Sequence, residues 1–164
     1  MKNRLFLLIL FLVISSHTFS QVSYGDLNWG SYNVKVNVST ENDSIFLNIT
    51  YTDYHNKIVD TPKLLIRFMD DSTISLDGNL LDTSNKTYGG VVVSGVILSA
   101  NHFISEIKFP ILKEQMNLFN LGVKKLRLNT SPKYHEKEWK RDKIGKKLYE
   151  AFINRSNNSF EDDF

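Results

Sequence analysis

From Ser31 onward apolar and polar residues alternate with period two, Tyr32, Val34, Val36 and Val38 on one side and Asn33, Lys35 and Asn37 on the other. Such alternation predicts a half-buried strand. TENDS reads as a turn, after which Ile45, Leu47, Ile49 and Tyr51 alternate with Phe46, Asn48, Thr50 and Thr52, so the two runs predict a hairpin. The polar stretch DYHNKIVDTP predicts a loop. In KLLIRFMDDSTISLDGN, two apolar runs flank Asp70 and Asp71, residues that favour tight turns, and predict a second, short hairpin closed at Gly78. Asn79 to Gly90 has no periodicity and reads as a loop. Val91 to Leu98 is apolar on both alternations, which predicts a central strand covered on both faces.

His102 opens another alternating stretch, with Phe103, Ile107 and Phe109 inward against Ile104, Glu106 and Lys108. Pro110 is expected to end that strand and to suit the first turn of a helix. Leu112, Met116 and Phe119, spaced i, i+4 and i+7, predict a short helix that stops at Gly122. VKKLRLN returns to the strand pattern, with Leu126 and Leu128 inward. Near the C-terminus, Ile144, Leu148, Ala151 and Phe152 share one side of a helical wheel, widened by Tyr149 and Ile153. The opposite side carries Lys140, Lys143, Lys146, Lys147, Glu150 and Asn154, so this helix should dock by its apolar face. The fold class is therefore α+β. We expect a single domain built on an antiparallel sheet of about seven strands, sandwich- or barrel-like, with a short helix and a C-terminal amphipathic helix packed on it.

The first residues change the picture of where this domain works. Lys2 and Arg4 precede the apolar run Leu5 to Ile14, and the small and polar residues SSHTFSQ follow. This is the layout of a secretory signal peptide, and the run falls well short of the roughly 20 residues of a membrane-spanning helix. We expect cleavage after Ser20, which leaves a domain over residues 21–155 and an acidic, flexible tail over 156–164. No cysteine occurs, which excludes a disulfide framework, a thiol nucleophile and a lipidated cysteine.

Charge is unevenly spread. The formal net charge of +2 is carried by Lys2 and Arg4, so the chain from Gln21 is neutral. Residues 22–106 hold five basic and ten acidic side chains, residues 107–155 thirteen and five, and the tail adds three acids. The basic segment suggests a binding face for an anionic partner, formed by Lys124, Lys125, Arg127, Trp139, Lys140, Lys143 and Lys147. A polyanionic sugar, a lipid head group or an acidic protein surface suits an exported protein. Nucleic acid does not, because the chain beyond the leader is neutral and lacks the aromatic-and-basic strand of an RNA-binding sheet. The plainer reading makes these lysines the solvated side of a docked helix. Trp139 falls on the lysine side of the wheel, so either the helix begins after it and the indole packs on the sheet, or the ring is exposed for stacking.

Catalytic and metal motifs are sparse. His55, His102 and His135 are too widely spaced for a recognisable metal site, and no cofactor motif occurs; GGVVVSG lacks the lysine and hydroxyl of a phosphate loop. His135 beside Glu136 and Glu138, or His55 within YTDYHNK, are the candidates for acid–base chemistry. Asn37-Val-Ser and Asn48-Ile-Thr are glycosylation sequons where a host has that machinery.

KLLIRFMDDSTISLDG, the run from FPILKEQ to KKLYEAF, and a leader ending TFSQ resemble small exported proteins of unknown function from Gram-negative gut bacteria. The resemblance implies a periplasmic or surface location and carries no activity or functional residues. The expectation is thus an exported, non-catalytic binding or adaptor module that meets a protein or glycan of the cell envelope. Two alternatives stand beside it: a small secreted hydrolase using His135 or His55 with nearby acids, and a purely structural envelope protein.

Overall fold

Leu47, Ile49 and Tyr51 are the inward residues of a strand that pairs on both sides, and they mark the centre of the architecture. A computed structural model describes residues 21–25, 32–42, 44–93 and 96–158, with side chains described outside 86–101 and 156–158. The expected signal peptide and residues 159–164 of the expected tail lie outside the described residues.

The strands in chain order are β1 (Gln21–Gly25), β2 (Tyr32–Glu41), β3 (Ser44–Asp53), β4 (Lys57–Ile58), β5 (Lys63–Phe68), β6 (Thr73–Asp77), β7 (Asn79–Val93), β8 (Val96–Ile111), β9 (Val123–Leu128), β10 (Thr130–Ser131) and β11 (His135–Glu138). Between β8 and β9 lie α1 (Lys113–Asn117) and a 3-10 turn (Leu118–Leu121), and α2 (Gly145–Asn158) closes the chain. A five-stranded sheet has the order β1-β2-β3-β8-β7, a four-stranded sheet the order β11-β9-β5-β6, and β10 pairs with β4. Every pairing is antiparallel.

Register explains the burial. Val36, Ile49 and Ile107 lie side by side across three strands, as do Val38, Leu47 and Phe109. All six are buried, because residues directly opposite in antiparallel strands share one face. The four-stranded sheet turns Leu64, Ile66, Phe68, Leu126 and Leu128 into the same core. Gly78 shows how closely the layers meet, since a Cβ there would lie 2.5 Å from the Phe109 ring. The result is an α+β sandwich, its end closed by α2, which packs on the 3-10 turn, β1 and β2.

Both hairpins predicted from alternation form, as does the inward set of β9, and Ile144, Leu148, Ala151 and Phe152 are all buried. Gly122, at φ +83°, ends the 3-10 turn in a conformation that disfavours side chains. Three expectations are corrected. Asn79 to Gly90 is strand, and of the expected central strand Val91 to Val93 ends β7 and Val96 to Leu98 begins β8, with Val93 opposite Val96, while Ser94 and Gly95 lie outside the described residues. Register shifts at Leu80/Asp82 and Tyr88/Val91 break the phase of alternation, which hides the strand from a period-two reading. Pro110 lies inside β8 opposite Phe46, beyond the point where pairing to β7 stops at Lys108, so it sits where β8 has a neighbour on one side, the setting in which a strand tolerates proline. Leu112 is 65% exposed, because the chain is still extended at that residue and α1 begins after it.

Two further differences concern the ends. β1 was not foreseen, although Val22 and Tyr24 alternate with exposed neighbours. α2 runs on to Asn158, three residues into the expected tail, since extending a nucleated helix costs far less than starting one. Among the described residues no helix is long and apolar enough to cross a membrane.

Candidate functional site

The basic residues singled out from the sequence fall into two groups. Lys125 and Arg127 point out of β9 on the open face of the four-stranded sheet. Antiparallel pairing sets Glu136 opposite Arg127 and Glu138 opposite Lys125. The Lys125 Nζ lies 2.6 Å from Glu136 Oε1 and 3.7 Å from Glu138 Oε2, and Arg127 Nε donates to Glu136 Oε2 at 2.6 Å. Lys124 is held by Asp71 at 2.7 Å. Hydrogen bonds from Lys125 and Arg127 keep the Glu136 carboxyl below the usual carboxylate range, and Lys124 does the same for Asp71. This face is basic in composition and neutralised in space.

Lys140, Lys143 and Lys147 belong to the second group. All three are exposed, and among the described residues none makes an ion pair. Lys140 and Lys143 precede α2, and Lys147 lies in its first turn beside Lys146. Lys143, Lys146 and Lys147 flank a groove of about 790 Å³ whose other wall is β1 from Gln21 to Tyr24. Trp139 also lines the groove but is 7% exposed, with its ring edge-on to Tyr24 at 5.2 Å. It therefore anchors the chain before α2 and presents no open face for stacking. This settles the two readings of Trp139 in favour of packing.

Asp142 positions these lysines. Its Oδ1 accepts the N–H groups of Gly145 at 2.8 Å, Ile144 at 3.2 Å and Val123 at 2.9 Å, and its Oδ2 accepts that of Lys146 at 2.9 Å. One carboxylate thus caps α2 and ties it to the start of β9. Burial pushes the Asp142 carboxyl up, but those four N–H groups outweigh it and leave the group below its ordinary value. Because they are already taken, an anion in the groove meets ammonium groups rather than a free helix end.

The predicted acid–base cluster is not assembled. His135 turns inward from β11 at 6% exposure, while Glu136 and Glu138 leave the same strand on its opposite face. Around the imidazole stand Tyr32 at 4.5 Å, Tyr51 at 5.2 Å and Tyr24 at 5.8 Å between ring centres, with Tyr24 Oη 3.3 Å from His135 Nε2. Burial pulls the His135 pKa down to about 4, opposed by the Asp53 charge and assisted by Lys137. Asp53, also buried, accepts from the Tyr51 hydroxyl at 2.7 Å and from the backbone N–H of His55 at 2.6 Å and of Asn56 at 2.8 Å. His55 itself is exposed, and His102 is buried edge-on to Tyr54 at 4.0 Å. Among the described residues no three His, Cys, Asp or Glu side chains converge on a metal position. The two sequon residues are engaged with one another, Asn48 Nδ2 donating to Asn37 Oδ1 at 2.9 Å.

Sequence reasoning missed Lys146 as a groove residue, β1 as its wall and Asp142 as the pin. A signal for the pin was present, since an aspartate three residues before a glycine that opens a helix has the spacing of a cap. Comparison of the chain with protein-family models, with curated proteins and with solved structures returns no match.

Proposed function

We propose that this protein is an exported, non-catalytic binding or adaptor module of the bacterial cell envelope that takes an anionic partner at the groove between β1 and α2. One observation carries the reading: among the described residues Lys140, Lys143 and Lys147 stand exposed without acidic partners, whereas Lys124, Lys125 and Arg127 are each matched to a carboxylate. Charges that no acid among the described residues pairs are available to a ligand, and the groove gathers Lys143, Lys146 and Lys147 along one wall. The hydrolase reading gains no comparable support, because His135 is enclosed by tyrosine rings and the acids beside it in sequence face away.

The test is cross-linked capture from cell-envelope extract, read by mass spectrometry, with two charge variants run beside the parent. Changing Lys140, Lys143 and Lys147 to Glu should abolish capture of the partner, and changing Lys125 and Arg127 to Gln should leave it intact. Equal capture by all three proteins would remove the groove from consideration. Loss in the sheet-face variant alone would move the site there.

A further inference from the structure

The groove has a wall of an unusual kind. Among the described residues β1 lies at the end of the five-stranded order and pairs with β2 on one side only. In an extended strand alternate residues direct their N–H and C=O to opposite sides, so part of β1's hydrogen-bonding backbone faces the groove rather than β2. Val22 and Tyr24 are buried and fix the strand, while Gln21, Ser23 and Gly25 are exposed. Gly25, at φ +92° and with a would-be Cβ 2.4 Å from the Tyr32 carbonyl, is the last residue of the strand. Across the groove stand Lys143, Lys146 and Lys147.

An edge strand opposite a row of cations selects among the partner classes open to an anion-binding groove. A glycan would need an exposed aromatic face or a fan of polar side chains. Trp139 and Tyr24 are both buried here, which leaves no open ring for a sugar to stack on, and the cationic side chains of the lining are Lys143, Lys146 and Lys147. A peptide in extended form supplies what the wall lacks: a ladder of donors and acceptors at strand spacing, with carboxylates on alternate residues reaching across.

Resting on the reading of the groove as the binding site, we propose that its ligand is an extended, acidic protein segment. The segment adds to the free edge of β1 as a sixth strand of the sheet, and its carboxylates meet Lys143, Lys146 and Lys147. Main-chain bonds then give affinity with little demand on sequence, and the lysines select for acidic residues at every second position.

The probe is a capped heptapeptide of alternating valine and glutamate, titrated into the purified exported chain and followed by amide hydrogen exchange of Val22 to Gly25. Its comparison is the same peptide N-methylated at alternate residues, which keeps the charge and removes backbone donors. The parent peptide is expected to slow exchange in β1 and to bind at least tenfold more tightly than the methylated form. Replacing Lys143, Lys146 and Lys147 by Glu should weaken it by a similar factor. Equal binding of both peptides would overturn strand addition while leaving the basic groove in place. Binding of a sulfated polysaccharide at the lysines with no peptide binding would likewise refute the peptide class but not the groove. No binding of any anionic probe would remove both. A dimer whose β1 amides are already protected without peptide would assign the edge to a second copy instead.

Discussion

The outer face of the four-stranded sheet and the groove beside α2 draw on the same basic segment of the chain and end in opposite electrostatic states. On the sheet, strand pairing brings Glu136 and Glu138 directly across from Arg127 and Lys125. At the groove, the one carboxylate beside the lysines, that of Asp142, is held by backbone N–H groups, and among the described residues no acid makes an ion pair with Lys143, Lys146 or Lys147. Lysine density is thus a poor guide to a binding face unless register is known. What distinguishes a solvated charge from an available one is the partner that the fold sets opposite it.

The strongest way to break this contrast is to undock α2, since the groove exists only while that helix is seated. Phe152→Ala removes a buried ring and should cost about 3 to 5 kcal/mol in a denaturant titration. A loss below about 1 kcal/mol would mean the helix is not held by that face. Trp139→Ala should fall in the same range, with the added effect of freeing the segment that carries Lys140 and Lys143.

Acid should act next. His135 binds its proton at about 4 in the folded chain and near 6.5 when unfolded, so the unfolded state holds more protons between those values. The stability that this contributes is complete above about 6.5 and falls away as the pH drops toward 4, a change of about 3 kcal/mol. Below that, the depressed Asp53 and Asp142 carboxyls add further losses as they protonate. His135→Phe should flatten the dependence of the urea midpoint on pH between 7 and 4.5. An unchanged slope would place the titration elsewhere.

Smaller effects sharpen the comparison. Asp142→Ala should cost about 1 to 2 kcal/mol as a lost cap, and it should also blunt ligand binding by releasing the first turn of α2. On the sheet face, a double-mutant cycle over Lys125 and Glu136 should give a coupling close to experimental error that fades with salt, because both groups remain partly in water.

The sequence carried those parts of the fold where one face is buried and the register is unbroken. Val34 to Val38, Ile45 to Tyr51 and Ile144 to Phe152 each repeat at the period of their element, so both hairpin and helix could be read directly. β7 could not be read, since two register shifts within fifteen residues cancel its period. The site was legible in its charges and not in its shape. Lys143 and Lys147 could be listed, but that β1 would run beside them depends on where α2 packs, which no local pattern records. The split between His135 and its neighbouring acids was readable in principle, because adjacent strand residues always face apart. What was missing was the knowledge that HEKE is a strand at all.

The two sheets are stitched by segments far apart in the chain: β3 pairs Ile45 with Ile111, and β5 pairs Leu64 with Leu128. Such closures spend loop entropy before any contact repays it, which slows folding to the millisecond-to-second range. Trp139 and Phe152 belong to the same core, so a chain emerging stepwise from the ribosome cannot close that core until residue 152 has been made. Until then the hairpins β2–β3 and β5–β6, each closed within a few residues, are the pieces that the growing chain can form by itself.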